Sequence, residues 1–428
     1  MVYNTDTMSE MSEKLRRMTT VITGQPCTAY ALDGGVPEAV VQPASPDEVR
    51  EALDVCRGYE APGVVWGGGT HIGIGNPMPS YRWAMDMGAL SRLVDYAPGD
   101  LVVTVEAGMK LITLQNLLRP HRQWLPIDAP LPDKQTVGGV VATNGAGPRR
   151  QRYGLPREWL LAVRAVLPSG EVVKAGVGVV KNVAGYDLPR LFAGSWGTLG
   201  VLTELTFKVA PLPEVSCAYR SSLPHTDMLP KLYHELNHPL LQPEMLDVVC
   251  ERKTGWSIIC GLAGFEEDVR WQFDLLRRQA PLEWEQISSE EVDLHRDRYL
   301  LVDAPYRVRC LVPPASAPEL LIELSQRFPE AEMQAHFGAG VVRIWWRDTH
   351  PDIPALQRLR EQTRRWGGFC VLESVPTEVK RFVGVWGEMG GSGDIMRRLK
   401  KGFDPKNILA PGRFVEGWSC ESSTASIC

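Results

Sequence analysis

Short apolar runs separated by polar and glycine-rich stretches predict alternating strands and helices in the first 110 residues. Runs at 38–41 and 63–66 have the length and the boundaries of strands. Between them, Ser45 and Pro46 followed by Glu48 form a helix start signal, because the serine and the glutamate can cap the first turn. The pattern therefore predicts a β-α-β unit that ends on the glycines after residue 66.

A different pattern follows Pro211 and Pro213. The stretch YRVRCLV alternates polar and apolar residues with a period of two, as half-buried strands do, and the runs WSIICGLAG and GVVRIWW add further strands. Helical periodicity recurs between these strands, for instance at 353–366. This order of elements predicts a second domain of the α+β class with an antiparallel sheet.

Composition argues against two classes of protein. The 428 residues carry 46 basic and 51 acidic side chains, so no excess of positive charge favours nucleic acid as a partner. No stretch reaches the roughly 18 apolar residues of a spanning helix, and the first residues lack the apolar centre of a signal peptide. We expect a cytoplasmic protein, or one attached peripherally to the inner face of the plasma membrane.

The nine cysteines are scattered along the chain and include no C-x-x-C pair. This spacing favours reduced thiols and argues against an iron–sulfur cluster or a zinc site held by this chain alone. If the reaction needs one-electron relay centres, we expect a partner to hold them.

Two glycine-rich segments carry the candidate binding chemistry. The first, VVWGGGTHIGIGN at 64–76, follows a predicted strand and fits neither the G-x-G-x-x-G nor the Walker pattern. Its backbone N–H groups suit a phosphate, but a structural turn explains the glycines equally well. The second segment, at 126–154, is rich in Pro, Gly, Thr and Asn, which predicts a long functional loop.

Five segments in a fixed order resemble the FAD-binding oxidoreductases of the vanillyl-alcohol oxidase type. Among these, the chain is most similar to the FAD-binding subunits of bacterial glycolate oxidases, which are relatives of the D-lactate dehydrogenases. The segments are GGGTHIGIG (67–75), VEAG (105–108), TVGGVVATNGAGPRRQRYG (136–154), the stretch 179–209 that begins VVKNVAGYDLPR, and FDPKNILAPGRF (403–414).

The resemblance implies an α+β fold with a PCMH-type FAD-binding domain of two subdomains, followed by an α+β cap domain with an antiparallel sheet. A C-terminal segment then returns to the flavin domain. The corresponding boundaries are an N-terminal lead at 1–35, the FAD-binding domain at 36–215, the cap at 216–380, the returning segment at 381–415 and a flexible tail at 416–428.

The resemblance also implies that FAD is the cofactor and assigns its contacts to three segments. These residues are Gly67, Gly68, Gly69, Thr70 and His71 near the diphosphate; Thr136, Val137, Gly138, Gly139, Ala142, Thr143, Asn144 and Gly145 along the ribityl chain and flavin ring; and Gly197, Thr198, Gly200 and Val201 at the adenosine end. In covalent flavoproteins of the superfamily, the attaching histidine aligns with Thr70. We therefore expect non-covalent FAD, with His71 facing solvent or a ribose.

The sequence lacks part of the residue set that relatives use to oxidise a 2-hydroxy acid. Relatives carry a metal-binding H-x-G-D-G-N-x-H stretch, whose nearest counterpart here is HFGAGVVR at 336–343. His336 fits this frame, but Ala339 replaces the acidic residue and Arg343 the second histidine, so we expect no metal. Three hypotheses remain open: His336 and Arg343 form a metal-free acid/base and carboxylate-binding pair, His336 is an ordinary residue at a strand edge, or Arg343 only lines the flavin's pyrimidine end.

Two further polar residues have no assigned chemistry in the sequence. Glu373 is an isolated acid that we interpret as mostly structural. Arg413, in the closing segment, reaches either the cofactor or a surface salt bridge.

Together these features predict the FAD subunit of a glycolate-oxidase-like complex, which takes part in the oxidation of glycolate to glyoxylate. Its implied partners are a second flavoprotein subunit, an iron–sulfur subunit and a small 2-hydroxy acid. One alternative is an autonomous FAD-dependent D-2-hydroxy-acid dehydrogenase that uses His336 and Arg343. The other is a structural subunit whose flavin site is vestigial.

Overall fold

A computed structural model of the chain describes residues 5–176, 186–252 and 254–414. Part of the motif at 179–209 and the tail at 416–428 lie outside the described residues. The helices are α1 (Thr5–Arg16), α2 (Pro46–Gly58), α3 (Leu111–Leu118), α4 (Val137–Thr143), α5 (Arg150–Tyr153), α6 (Pro156–Trp159), α7 (Leu188–Phe192), α8 (Leu229–Leu236), α9 (Glu266–Gln279), α10 (Ser289–Leu301), α11 (Ala317–Arg327), α12 (Ile353–Arg365), α13 (Thr377–Val383) and α14 (Ser392–Phe403).

The strands form three larger sheets and one short pair. They are β1 (Thr20–Thr23), β2 (Ala39–Gln42), β3 (Gly63–Trp66), β4 (Trp83–Asp86), β5 (Leu93–Ala97), β6 (Val102–Glu106), β7 (Gln123–Trp124), β8 (Leu160–Val166), β9 (Val172–Gly176), β10 (Val201–Lys208), β11 (Ala210–Pro211), β12 (Val215–Leu223), β13 (Met245–Glu251), β14 (Gly255–Gly264), β15 (Glu285–Ile287), β16 (Tyr306–Leu311), β17 (Glu332–His336), β18 (Val341–Trp346) and β19 (Phe369–Ser374).

The first sheet has the strand order β1-β2-β4-β3, in which β2, β4 and β3 run parallel. Helix α2 connects β2 to β3, and the Ser45 hydroxyl accepts a hydrogen bond from the Glu48 N–H at its start. Leu53 of this helix is fully buried in the same core as Trp83 of β4. The predicted β-α-β unit is therefore present, and its second strand ends where the glycine loop begins.

The second sheet is antiparallel, with the order β5-β6-β10-β8-β9. Helices α3 and α4 share its hydrophobic core, to which α4 contributes Val137, Val140 and Val141. Helix α4 lies inside the segment at 126–154 that we expected to be a loop. It forms because the Thr136 hydroxyl accepts a hydrogen bond from the Gly139 N–H at its start, and because its valines are buried.

The cap sheet is antiparallel, with the order β15-β12-β14-β13-β17-β18-β16-β19. Successive side chains of a strand point to opposite faces. Apolar side chains such as Val248, Val308 and Ile344 share one core with helices α8, α9, α11 and α12. The opposite face of the sheet carries a group of polar residues, which are Asp247, Arg307, Arg309, Arg343 and Glu373.

The C-terminal segment returns to the first domain as expected. The Gly63 N–H donates to the Ile408 carbonyl at 2.9 Å, and the Ala410 N–H donates to the Gly63 carbonyl at 2.8 Å. Ile408 and Leu409 are fully buried in the core around α2. These contacts fix the closing motif beside the strand that leads into the glycine loop.

Candidate functional site

A cleft lies beside the glycine loop. Three sequence-distant segments converge on it, each contributing glycines. The predicted residues that line it are Gly67, Gly68, Gly69, Thr70, His71, Thr136, Gly138, Gly139, Ala142, Thr143, Gly197 and Gly200. Residues some 70 and 130 positions apart in the chain thus share one surface, as the family resemblance implies.

The remaining predicted cofactor residues are not among those that line the cleft. Val137 and Val201 are buried in hydrophobic cores. Asn144 ends α4 with a φ of 49° and accepts a hydrogen bond from the Arg157 N–H at 3.1 Å, and Gly145 follows it. Thr198 is buried, and its hydroxyl donates to the Ser195 carbonyl. Their contact with the cofactor stays a prediction.

Packing within the protein is one reason why the loop needs glycine. A Cβ on Gly68 would lie 2.1 Å from the Lys134 carbonyl oxygen, because the loop packs directly on residues 134–135. Gly69 has a φ of 71°, a conformation that glycine adopts without steric cost. The side of Gly68 on which a Cβ would stand therefore faces residues 134–135, although the residue also lines the cleft, and its contact with the diphosphate stays a prediction.

Other glycines leave space on the cleft side. A Cβ on Gly139 would meet only the Thr136 hydroxyl, at 3.1 Å, and one on Gly197 only Val65, at 3.9 Å. Both glycines line the cleft, so side chains here would fill space that is otherwise open to a bound molecule. Bare backbone contributed by three segments to one cleft fits a dinucleotide such as FAD.

Two lining residues escaped the sequence analysis as cofactor contacts. Trp196 and Trp386 meet edge to face, with ring centroids 4.8 Å apart. Trp196 lies inside a quoted family segment, but the sequence around Trp386 gives no signal. Arg413, for which we expected either the cofactor or a surface salt bridge, also lines the cleft. It is buried, pairs with Asp33 at 3.0 Å and donates to the carbonyls of loop residues 72 and 74, so the surface salt bridge is wrong.

The structure brings His336 and Arg343 together. His336 ends β17, an interior strand of the cap sheet, and is 1% exposed, so it does not occupy a strand edge. Its Nε2 accepts a hydrogen bond from Arg343 Nη1 at 2.8 Å, and its Nδ1 lies 2.7 Å from Asp247 Oδ2. Since arginine is always a donor, Nδ1 carries the proton. Burial lowers the pKa of His336, which favours this neutral form.

Glu373 is part of the same polar face rather than isolated. Its carboxylate lies 3.0 Å from Arg309 Nε and 3.4 Å from Arg343 Nε. Burial opposes its ionisation, but the charges of Arg343 and Arg309 outweigh this effect and hold the pKa of Glu373 below its usual value. Glu373 is therefore a buried counter-ion that two arginines share.

Of the two surroundings that we expected for His71, solvent is wrong, while contact with a ribose of the cofactor stays a prediction, since His71 lines the cleft. It is half-buried, with Nε2 3.0 Å from the Tyr299 hydroxyl of α10 and Nδ1 3.1 Å from the Thr70 hydroxyl. Burial lowers the pKa of His71 to about 4, so the ring is neutral at pH 7. The histidine thus joins the glycine loop to the cap.

Three further features of the described residues bear on function. They contain no group of three or more His, Cys, Asp or Glu side chains arranged to hold a metal ion. The cysteines in this part of the chain are free thiols. None of its helices has both the length and the apolar character needed to cross a membrane.

Comparison with known proteins agrees with the geometry. Residues 37–176 match the FAD binding domain family. Glycolate oxidase subunit GlcE of Escherichia coli is 33% identical over 249 residues, which cover 58% of this chain and 68% of that protein. The mitochondrial D-lactate dehydrogenase (cytochrome) of Arabidopsis thaliana is 36% identical over 193 residues, which cover 45% of this chain but only 34% of that protein.

The fold has relatives among solved structures. The structure of p-cresol methylhydroxylase with substrate bound superimposes with a TM-score of 0.72 at 15% identity, over 96% of this chain and 97% of that one. The domain match, the similarity to GlcE and the shared fold lead to one conclusion. The chain belongs to the FAD-binding oxidoreductases of the vanillyl-alcohol oxidase type, the family that includes glycolate oxidase subunits and D-lactate dehydrogenases.

Proposed function

We propose that the cleft holds FAD without a covalent bond. Backbone N–H groups of Gly67, Gly68 and Gly69 and the Thr70 hydroxyl would contact the diphosphate. The segment at 136–145 would lie along the ribityl chain and flavin, and the segment at 197–201 would hold the adenosine end. The convergence of these three glycine segments on one cleft is the observation that carries this proposal.

We propose further that the chain is the FAD subunit of a glycolate-oxidase-like complex. Bound FAD would supply a hydride acceptor for the oxidation of a 2-hydroxy acid such as glycolate. A base must also remove the hydroxyl proton. Both ring nitrogens of His336 are engaged with protein groups, so this imidazole has no free position for that proton. We therefore assign substrate oxidation to a second flavoprotein subunit and electron relay to an iron–sulfur subunit.

One observation favours a second candidate, an autonomous D-2-hydroxy-acid dehydrogenase. The polar face of the cap sheet presents Arg307, Arg309 and Arg343 together beside the cleft region, and guanidinium groups suit a substrate carboxylate. In this alternative Arg343 would turn from His336 to the substrate and release Nε2 as the base. The D-lactate dehydrogenase among the relatives is consistent with it.

Anaerobic stopped-flow absorbance separates the two candidates. The FAD-loaded chain is mixed with glycolate or D-lactate, alone and with its partner subunits. The complex hypothesis expects the flavin of the isolated chain to stay oxidised and to bleach only when partners are present. Rapid bleaching of the isolated chain, lost by about 10²–10⁴-fold in His336→Ala, would instead establish the autonomous dehydrogenase. His225→Ala, at an exposed histidine, is the matched control.

The mode of FAD attachment has its own test. Acid precipitation of the holoprotein should release the yellow chromophore into the supernatant. Flavin that stays with the pellet would contradict the non-covalent assignment. A chain that binds no FAD at all would support the vestigial-site alternative.

A further inference from the structure

Two cysteines oppose each other across neighbouring strands of the cap sheet. Cys310 of β16 and Cys370 of β19 are direct partners in the antiparallel register, and both are buried free thiols. Residues in this relation have Cα atoms about 4.5–5.5 Å apart, inside the range of about 4.4–6.8 Å that a disulfide spans. The pair can therefore close within the existing sheet. Three other cysteines of the cap strands oppose residues of other types, namely Cys217 opposite Leu262, Cys250 opposite Trp256 and Cys260 opposite Tyr219.

The surroundings of Cys370 favour its reactive form. A hydrogen bond from the Cys310 thiol lowers the pKa of Cys370, and the positive charge of Arg360 offsets part of the opposing effect of burial. The same hydrogen bond raises the pKa of Cys310, which therefore keeps its proton. Since the thiolate is the nucleophile in thiol chemistry, Cys370 is the attacking sulfur of the pair and Cys310 its protonated partner.

Arg360 of α12 joins this thiol pair to the wall of the cleft. Its two Nη atoms donate to the carbonyls of residues 383, 384 and 385, and its buried Nε has no hydrogen-bond partner within the described residues. The segment 383–387 also packs on Cys370, since a Cβ on Gly387 would lie 3.6 Å from the Cys370 carbonyl oxygen. Trp386 of this segment lines the cleft.

The segment 383–387 also pairs with the strand that carries Cys370. Strand β19 is an edge of the cap sheet, and its Leu372 N–H donates to the Val385 carbonyl at 3.0 Å. The Val385 N–H in turn donates to Asn76 Oδ1, at the end of the glycine loop, at 2.8 Å. Directly opposed residues have Cβ atoms about 4.5–5.5 Å apart, whereas a disulfide holds them at about 3.8 Å. Closure of the thiol pair therefore draws β19 towards β16 and displaces the segment.

We propose that Cys310 and Cys370 form a redox pair that hydrogen peroxide converts to a disulfide, and that this closure loosens the binding of FAD. Cys370 is next to the exposed Phe369 on an edge strand, so local opening of this edge admits a small peroxide. The second part of the proposal rests on the proposed FAD site.

The oxidation takes place in two steps. The Cys370 thiolate attacks one oxygen of the peroxide, the O–O bond breaks, and Cys370 becomes a sulfenic acid. The hydroxide that leaves takes up the proton that Cys370 had released and becomes water. The Cys310 sulfur then attacks the sulfenic sulfur, so that the S–S bond forms and a second water leaves with the Cys310 proton. Two thiols are oxidised to one disulfide, and one peroxide is reduced to two water molecules.

Peptide mapping without reductant tests the first part on the full-length, FAD-loaded protein after treatment with hydrogen peroxide. Mass spectrometry should find the Cys310 peptide linked to the Cys370 peptide, and dithiothreitol should separate them. Cys310→Ala removes the second thiol, so Cys370 should instead be trapped by dimedone as a sulfenic acid. Cys217→Ala is the matched control and should form the linked peptide as the wild type does.

Arg360→Gln tests the role of the guanidinium. It should slow the formation of the linked peptide at pH 7 by about 10-fold, the usual value of a hydrogen bond to a charged group. The slowing should disappear at high pH, where Cys370 ionises without the arginine. A loss of structure would expose the thiols and accelerate their oxidation, so the sign of the effect separates the two causes.

Fluorescence of released flavin tests the second part. After dilution, the disulfide form should release FAD about 2- to 10-fold faster than the thiol form, the usual value of one hydrogen bond. Dithiothreitol should restore the slow release, which separates the disulfide from methionine sulfoxide, a product that needs its own reductases. Cys310→Ala treated with peroxide should release FAD at the same rate as its untreated form.

Absence of the linked peptide in the wild type would overturn the proposal, as would an Arg360→Gln protein that closes the pair at an unchanged rate. Unchanged FAD release from the disulfide form would overturn the coupling to the cleft. A protein that forms the linked peptide but binds no FAD would retain the redox pair and refute the proposed FAD site.

Discussion

Replacement of Gly68 by alanine tests how the glycine loop forms the FAD site. The new Cβ would lie 2.1 Å from the Lys134 carbonyl oxygen and 2.9 Å from Gln135 Cα. Ordinary contact begins at about 3.4 Å. The loop and residues 134–135 must therefore separate by about 1.3 Å, which disturbs the wall of the cleft that Gly68 and Gln135 line.

The cost of this displacement sets the expected loss of affinity. Overpacking of a well-packed contact typically costs about 1–3 kcal/mol. If the loop meets this cost only when FAD requires its native position, the FAD dissociation constant rises by about 5- to 150-fold. Gly73→Ala is the matched control, because a Cβ at this position of the same loop has no neighbour within 4 Å.

Quenching of tryptophan fluorescence is a suitable assay, since Trp196 and Trp386 line the cleft. Titration of the apoprotein with FAD should give wild-type affinity for Gly73→Ala and the stated loss for Gly68→Ala. Circular dichroism of each apoprotein checks that the fold is intact. Wild-type affinity in a folded Gly68→Ala protein would refute the placement of the diphosphate on this loop.

Two further predictions concern stability. Burial lowers the pKa of His71 from 6.5 to about 4, so on acidification the unfolded chain takes up this proton before the folded chain does. The stability that neutral His71 contributes is therefore complete above pH 6.5 and is lost as the pH falls towards 4. Urea unfolding should show that, between pH 7 and pH 5, the free energy of unfolding falls by about 1–2 kcal/mol more in the wild type than in His71→Gln. Equal falls in the two proteins would contradict the assignment. Buried Lys400 pairs with Asp404 and donates to the Thr198 and Leu409 carbonyls, so Lys400→Met should lower the free energy of unfolding by about 3 kcal/mol. Adding Asp404→Asn should recover part of this loss in the same unfolding assay, because the unpaired charge is removed; a double variant less stable than the single one would count against a charge-pair origin.

Local sequence signals predicted much of the fold because the relevant forces act between near neighbours. The start of α2 is visible in Ser45, Pro46 and Glu48, whose capping contacts span a single turn. The alternation in YRVRCLV predicts a half-buried strand, and the structure places Val308 in the core and Arg307 on the polar face. Helix α4 was missed because its cap at Thr136 and its buried valines act against the low helix propensity of two glycines.

Prediction was less complete at the site. The glycine segments were found because bare backbone leaves a local signature, and most of their residues do line one cleft. Tyr299 and Arg307 were missed, since each is an ordinary residue of its element until the cap meets the glycine loop. The contact between His71 and the cap was missed for the same reason: its partner Tyr299 lies 228 positions away in the chain.

The sequence by itself determined most of the strands and helices and the absence of the metal-binding histidine pattern, because these depend on residue type and local spacing, while its resemblance to a family implied the cofactor. Only the tertiary structure decided at which cleft glycines a Cβ would meet the protein, as at Gly68, and at which it would find space, as at Gly197. It also decided that His336 has both nitrogens engaged and that Arg309 and Arg343 share the buried carboxylate of Glu373. Burial, distance and charge balance arise between segments far apart in the chain, and these three quantities govern the chemistry of the site.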